Sequence, residues 1–258
     1  MSQYSEATLF GMQRIFGRGF LSPGGPAEIH RVLEGIALAD KEVMDLGCGL
    51  GGGTAVLGQM GATSVLGIDI EAGNLAIAQD ILDDAGLQER VSLRLVEPGP
   101  LAFADNCFDV VFSKAVICHV PDKAALFREV HRVIKPGGWF AGADWMKGGE
   151  GRLSQAFHDW DDDLRAAGLD FHFDTPHTHQ NAFHGAGFQA VMLRDDSDWA
   201  GDEARKMQEV ILGGGRDDLI AALGQAGYET FVHRGQARIE ALASRDLQYR
   251  HFRAQKPA

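Results

Sequence analysis

From about residue 42 onwards, short and nearly continuous apolar runs alternate with longer stretches in which apolar residues recur every three or four positions. The runs are EVMDLGC (42–48), SVLGIDI (64–70), VSLRLVE (91–97), FDVVFSKAV (108–116) and WFAGADW (139–145). Runs of this kind predict strands covered on both faces. Between them, TAVLGQM, NLAIAQDILDDAGL and DKAALFREVHRVI predict helices. In the last, Ala125, Phe127, Val130, Val133 and Ile134 lie on or near one face, and KPGG (135–138) is expected to stop it. Strands alternating with helices imply right-handed crossovers and a parallel sheet.

The flanks read differently. Residues 5–17 predict a short helix ended by Gly17, and GRGFLSPGGP a loop. In AEIHRVLEGIAL, the helical spacing of Ile29, Val32, Leu33 and Ile36 predicts a second helix. After Trp145 the chain turns polar and rich in Gly, Asp and His over 147–184, with helical character near 153–166. FQAVMLRDDS reads as a sixth strand, and 202–245 as helix interrupted by the glycines at 213–215. LQYRHFRAQKP reads as a final edge strand. A length of 258 residues fits one domain carrying late insertions.

Charge narrows the partners. A formal net charge of −12 repels phosphate backbones and anionic lipid, which argues against nucleic acid and membrane surfaces. Cys48, Cys107 and Cys118 are odd in number and lack a pairing pattern, so a reducing compartment is expected. The first residues lack the basic and apolar regions of a signal peptide, and no apolar stretch is long enough for a membrane helix. A soluble, cytoplasmic protein is the expectation.

The candidate chemistry starts at MDLGCGLGGGT (44–54). In open parallel sheets ligands bind beyond the carboxyl ends of the strands, and the turn after the first strand is such a place. Gly47, Gly49 and Gly52 satisfy G-x-G-x-x-G, and Asp69 follows Gly47 by 69 − 47 = 22 residues, at the end of the next strand. A carboxylate there can accept hydrogen bonds from both ribose hydroxyls. Glycines made only for tight packing would not explain Asp69. These residues alone leave open whether the ligand is a nicotinamide dinucleotide or S-adenosyl-L-methionine, since both carry adenosine.

Three motifs carry a resemblance. Asp45 turns the glycine motif into D-x-G-x-G, FDVVFSKAVICHV follows at the fourth strand, and RVIKPGGWF leads into the fifth. Together they resemble the class I S-adenosylmethionine-dependent methyltransferases. FGRGFLSPGG, SKAVICHV and the terminal FRAQK narrow this to a resemblance to the phosphoethanolamine N-methyltransferase family, clearest over the first 145 residues.

The resemblance implies an α/β, Rossmann-like, doubly wound and mostly parallel seven-stranded sheet with helices on both faces. Residues 1–25 would form a helical lid, 40–146 the cofactor-binding core, and 147–184 with 202–245 a cap. S-adenosyl-L-methionine would be the cofactor and S-adenosyl-L-homocysteine its product. It further implies that Leu21, Ser22, Asp45, Gly47, Gly49, Asp69, Ile70, Glu97, Pro98 and Lys114 line the cofactor, and that Tyr4 and His119 form a catalytic pair. Methyl transfer moves positive charge from sulfur to the acceptor, so alignment and water exclusion matter most. An amine acceptor must first lose a proton, which a histidine titrating near neutrality can take.

The sequence also departs from the family. Ala115 stands where an aspartate is common, and no tyrosine lies between residues 145 and 200 to grip a phosphate. Arg152 and Arg165 are the basic candidates there. A different small amine, an amino acid or a neutral thioether therefore fits better than phosphoethanolamine. Trp145 and Trp160 are candidates for a wall against a methylated cation, with Arg165 as a further substrate contact, while Phe171 and Phe173 read as packing. His172, His177, His179 and His184 cluster, but Pro176 is expected to break any helix presenting them together, and no metal is expected.

The expected function is therefore methyl transfer to nitrogen of a small polar acceptor, with His119 as base and Tyr4 as its partner on the lid. S-methylation of a thioether, a non-catalytic S-adenosylmethionine-binding protein and a nicotinamide oxidoreductase are the alternatives.

Overall fold

The computed structural model describes residues 6–258, so Tyr4 lies outside the described residues. Within them the strands form one seven-stranded sheet. β1 (Glu42–Leu46), β2 (Ser64–Asp69), β3 (Val91–Leu95), β4 (Phe108–Lys114) and β5 (Ile134–Lys147) run parallel. The spatial order is β3-β2-β1-β4-β5-β7-β6, where β6 is Gln189–Asp195 and β7 is Leu247–Gln255. Strands are added outwards from β1 first on one side, as β2 and β3, and then on the other, as β4 and β5, and this switch in strand order places a crevice at the ends of the central strands.

Helices close both faces. Ile29 of α2 (Gly25–Val32) and Val56 of α3 (Gly52–Gln59) pack with Phe112 and Tyr249 on one side. Phe127 of α5 (Lys123–Val133) and Phe183 of α7 (Pro176–Gly185) pack with Met44, Val111 and Phe252 on the other. Phe127 and Phe183 stack with ring centroids 4.2 Å apart, and neither is exposed. Truncating a phenylalanine in such a place costs roughly 3–5 kcal/mol. α1 (Glu6–Phe16) joins α8 (Ser197–Leu212) and α9 (Arg216–Ala243), while α4 (Ala72–Asp84) covers β2 and β3 and α6 (Gln155–Ala166) packs on α9.

Three expectations are corrected. β7 is not an edge strand: it lies antiparallel between β5 and β6. Arg253 of β7 and Lys256 just after it serve the helices. Arg253 donates to the carbonyls of Arg31 and Val32 at the end of α2 and of Glu34 just beyond it, and Lys256 to those of His131 and Ile134 at the end of α5. Both satisfy carbonyls that a helix end leaves without partners. β6, largely exposed, takes the edge. Second, KPGG ends α5 as expected yet belongs to β5, as a bulge: Phe108 pairs with Ile134, then Val110 with Trp139. Third, Pro176 does not break a helix but opens α7, where a missing N–H costs nothing, behind the Thr175 cap.

Candidate active site

The turn after β1 is shaped by its neighbours. Gly47 has φ 73°, and a Cβ there would lie 2.4 Å from Val116. Gly49 has φ 53° and donates its N–H to Asp69 Oδ2 at 2.8 Å. Asp69 Oδ1 accepts the Glu71 N–H at 2.9 Å. An ionised carboxylate has about four acceptor positions, so what these N–H groups and the Asn74 side chain leave over is open to a ligand's hydroxyl. Burial raises the Asp69 pKa, against these N–H bonds and the Asn74 side chain, which lower it. Asn74 Oδ1 is itself buried without a partner. Asp45 accepts from Thr54 Oγ1 at 2.7 Å, and burial, with the nearby Asp69 charge, lifts its pKa to about 7.

A cavity of about 900 Å³ runs over this turn. Leu21, Ser22, Asp45, Gly47, Gly49 and Asp69 line it, as do Ile70, Glu97, Pro98 and Lys114. Ile70 is 48% exposed at the strand end, an apolar surface left open towards the cavity. Lys114 faces the cavity but spends its ammonium elsewhere, on Ser22, Pro23 and Glu28.

His119 closes a 3-10 turn, Ile117–His119, just past β4. Buried beneath that turn, Asp144 accepts the N–H groups of Val116, Ile117 and Cys118 at 3.1, 2.7 and 3.1 Å. It also accepts its neighbour Trp145 N–H at 2.7 Å. The turn is therefore fixed from below by one carboxylate. The His119 Nδ1 lies 3.2 Å from the Asp170 carbonyl. A carbonyl only accepts, so Nδ1 carries the proton and Nε2 keeps its lone pair. Burial holds the His119 pKa below the usual histidine value, against the Asp170 bond and the Asp144 charge.

Around His119 the wall is aromatic. Phe171 lies 4.3 Å from its ring, and Trp160 lies 5.9 Å from both Phe171 and Trp145. Trp145, Trp160 and Phe171 all line the cavity, and Phe171 also packs in the core. Arg165 does not reach it: its guanidinium pairs with Asp161 and Asp170 on the outside. Besides Lys114, the basic lining comes from Arg128 of α5 and from α9, as Arg234 and Arg238. Arg234 donates to the Asp163 carbonyl of α6 at 3.0 Å. Arg238 reaches the Met207 sulfur at 3.5 Å, while its Nε is buried without a partner. Burial and the Arg234 charge lower the Arg238 pKa to about 10. Gln208 Oε1, near Gly235, is also buried without a partner.

The histidine cluster disperses. His177 bonds Asn181, and His179 is packed under α5, where burial and the Lys123 charge lower its pKa to about 3. Among the described residues no group of three or more His, Cys, Asp or Glu is arranged to hold a metal ion, and no helix is long and apolar enough to cross a membrane.

The model of a methyltransferase domain matches residues 44–142. The phosphoethanolamine N-methyltransferase of Triticum aestivum is 30% identical over 244 residues, covering 92% of this chain and 46% of the relative. Haemonchus contortus phosphoethanolamine N-methyltransferase 2, solved with phosphomonomethylethanolamine and S-adenosylhomocysteine, matches with a TM-score of 0.89 at 24% identity. That match covers 100% of this chain and 59% of the other. The chain has the fold of the class I methyltransferases, carries a methyltransferase domain at residues 44–142 and resembles the phosphoethanolamine N-methyltransferases. It spans about half the length of the curated relatives it matches. The [4+2]-cyclase SpnF also shares the methyltransferase fold, with a TM-score of 0.76 at 20% identity over 99% of this chain and 98% of that one. The fold therefore does not fix the reaction, which rests on the residues of the site.

The methyltransferase core shows which of those residues sequence reading misses. Asp144 is a lone acid inside an apolar run, a signal that was present. Arg234 and Arg238 stand four apart on a long helix, but nothing local tells which face of α9 meets the cavity.

Proposed function

We propose that the chain transfers a methyl group from S-adenosylmethionine to the nitrogen of a small amine bearing an anionic group, of the phosphoethanolamine kind. The observation that carries this is the pairing, in one cavity, of a neutral imidazole at His119 with the arginines of α9. The cofactor half fits the adenosyl group: Asp69 keeps acceptor positions for the ribose, Asn74 offers an unused buried oxygen, and Gly49 leaves the backbone open. Bound there, the cofactor would supply the electrophilic methyl.

The chain's own residues do the rest. Arg238, with Arg234, attracts the acceptor's anion, and a buried guanidinium beside another has much to gain from one. His119 Nε2 takes the ammonium proton, since a protonated amine has no lone pair to attack with. Trp145, Trp160 and Phe171 exclude water and favour the cationic product, by about 0.5–2 kcal/mol per well-placed ring. In this reading 1–25 act as a lid, with Tyr4 its catalytic residue, 40–146 hold the cofactor, and 147–184 with 202–245 cap the acceptor.

The reading departs from the preference for an acceptor other than phosphoethanolamine, which rested on Ala115, on the lack of a tyrosine between residues 145 and 200 and on Arg152 and Arg165 as the basic candidates there. A labelled-methyl assay across phosphorylated amines, amino acids and thioethers tests it. Turnover confined to thioethers, or to amines lacking an anion, would overturn it.

A further inference from the structure

Lys114 was expected to touch the cofactor, but its surroundings say otherwise. Its side chain is 8% exposed, and its Nζ lies 3.0 Å from Glu28 Oε2 in α2. The same nitrogen donates to Ser22 Oγ at 2.7 Å and to the Pro23 carbonyl at 2.6 Å. An ammonium has three protons, and Ser22 Oγ, the Pro23 carbonyl and, at 3.4 Å, the Ser22 carbonyl accept them, while Glu28 Oε2 supplies the opposite charge. Glu28 is fully buried, and its other oxygen meets His251 Nε2 of β7 at 3.2 Å. Although burial pushes the Glu28 pKa up, the Lys114 charge and the His251 bond bring it below the usual carboxylate value.

The segment gripped is the loop between α1 and α2, which lies against the glycine turn. Gly19 accepts the Gly52 N–H at 3.1 Å, and Gln13 Oε1 accepts the Gly19 N–H at 3.1 Å. Leu21 and Ser22 line the cavity. Lys114 ends β4 and is followed by Ala115, at φ 55°, and by the turn that carries His119.

We propose that Lys114 is a positioning residue that holds the 17–24 loop closed over the cofactor and ties it to the strand presenting His119. It acts through Ser22, Pro23 and Glu28, not by contact with the cofactor. The proposal rests on the cofactor reading above for its consequence, though not for its structural arm.

Arg18, exposed within the loop, gives a direct readout by tryptic cleavage between Arg18 and Gly19, followed by mass spectrometry. The Lys114→Met variant is expected to be nicked there about tenfold faster than the wild type, and Lys114→Arg at nearly the wild-type rate. With S-adenosylhomocysteine as probe, Lys114→Met should bind about fivefold more weakly or worse, and Lys114→Arg should recover most of the loss. The double variant Glu28→Gln/Lys114→Met removes both buried charges and should be nicked as fast as Lys114→Met while remaining folded. Weaker binding with an unchanged nicking rate would make Lys114 a cofactor contact and overturn the proposal. Loss of fold in both the single and double variants would also overturn it, by making Lys114 part of the core. Cleavage is read first without the probe, so failure of S-adenosylhomocysteine to bind the wild-type protein would count against the cofactor reading alone.

Discussion

Asp69 accepts the Gly49 N–H at 2.8 Å, so the glycine turn after β1 and the acid closing β2 form a single unit. The carboxylate shapes the turn and still offers acceptors to a ligand. Replacing it should damage both roles. Asp69→Ala is expected to weaken S-adenosylhomocysteine binding at least tenfold, about 1.4 kcal/mol, by calorimetric titration. Unchanged affinity would mean that the ribose lies elsewhere.

His119 has the geometry of a base, with Nδ1 committed to a carbonyl and Nε2 free to accept. His119→Ala should lower kcat/KM for an amine acceptor by about 10²–10⁴. A thioether needs no deprotonation, so insensitivity to this change would favour sulfur chemistry. Because burial lowers its pKa, the imidazole should titrate below pH 6.5 by NMR and be neutral at pH 7. A midpoint above 6.5 would contradict that placement.

Asp45 makes the stability of the ligand-free protein depend on pH. Its carboxyl is protonated in the fold below about pH 7, whereas in the unfolded chain it loses its proton near 3.8. Between those values the folded state binds more protons, so this group's contribution falls as pH rises. Asp45→Asn keeps an acceptor for Thr54 without the charge. Its melting temperature should exceed that of the wild type by several degrees at pH 8, and the gain should shrink towards pH 5. An equal gain at both values would show that Asp45 ionises normally.

Arg238 should matter to the acceptor rather than the cofactor. Arg238→Met is expected to raise KM for an anionic amine about tenfold or more, with S-adenosylhomocysteine affinity unchanged. The mutation also relieves a buried charge beside Arg234, so the protein should not lose stability. A KM that stays put would place the anion elsewhere.

The parallel core and the ligand end of the sheet could be read from the chain, because each strand is a local apolar run and the glycines and Asp69 keep fixed spacings along it. The cap could not. Arg165 and Arg238 are both arginines on helices, and only tertiary packing turns the first out to Asp161 and Asp170 and the second into the cavity. β7 misled for a related reason. Its place between β5 and β6 is set by pairing with distant strands, and the charges of Arg253 and Lys256 are used on the carbonyl ends of α2 and α5. Lys114 was found as a residue of the cavity, but its partners lie 91 and 92 positions away in Pro23 and Ser22, beyond any local pattern.

The antiparallel strand wedged between β5 and β6 has a consequence for biosynthesis. Residues 247–255 are translated after every other strand, yet two neighbours depend on them for their ladders. Until they emerge from the ribosome, β6 has no partner and one side of β5 stays open, a template for wrong pairing. The nascent chain must therefore carry an unfinished sheet until residues 247–255 emerge, and those residues are the ones that seal it.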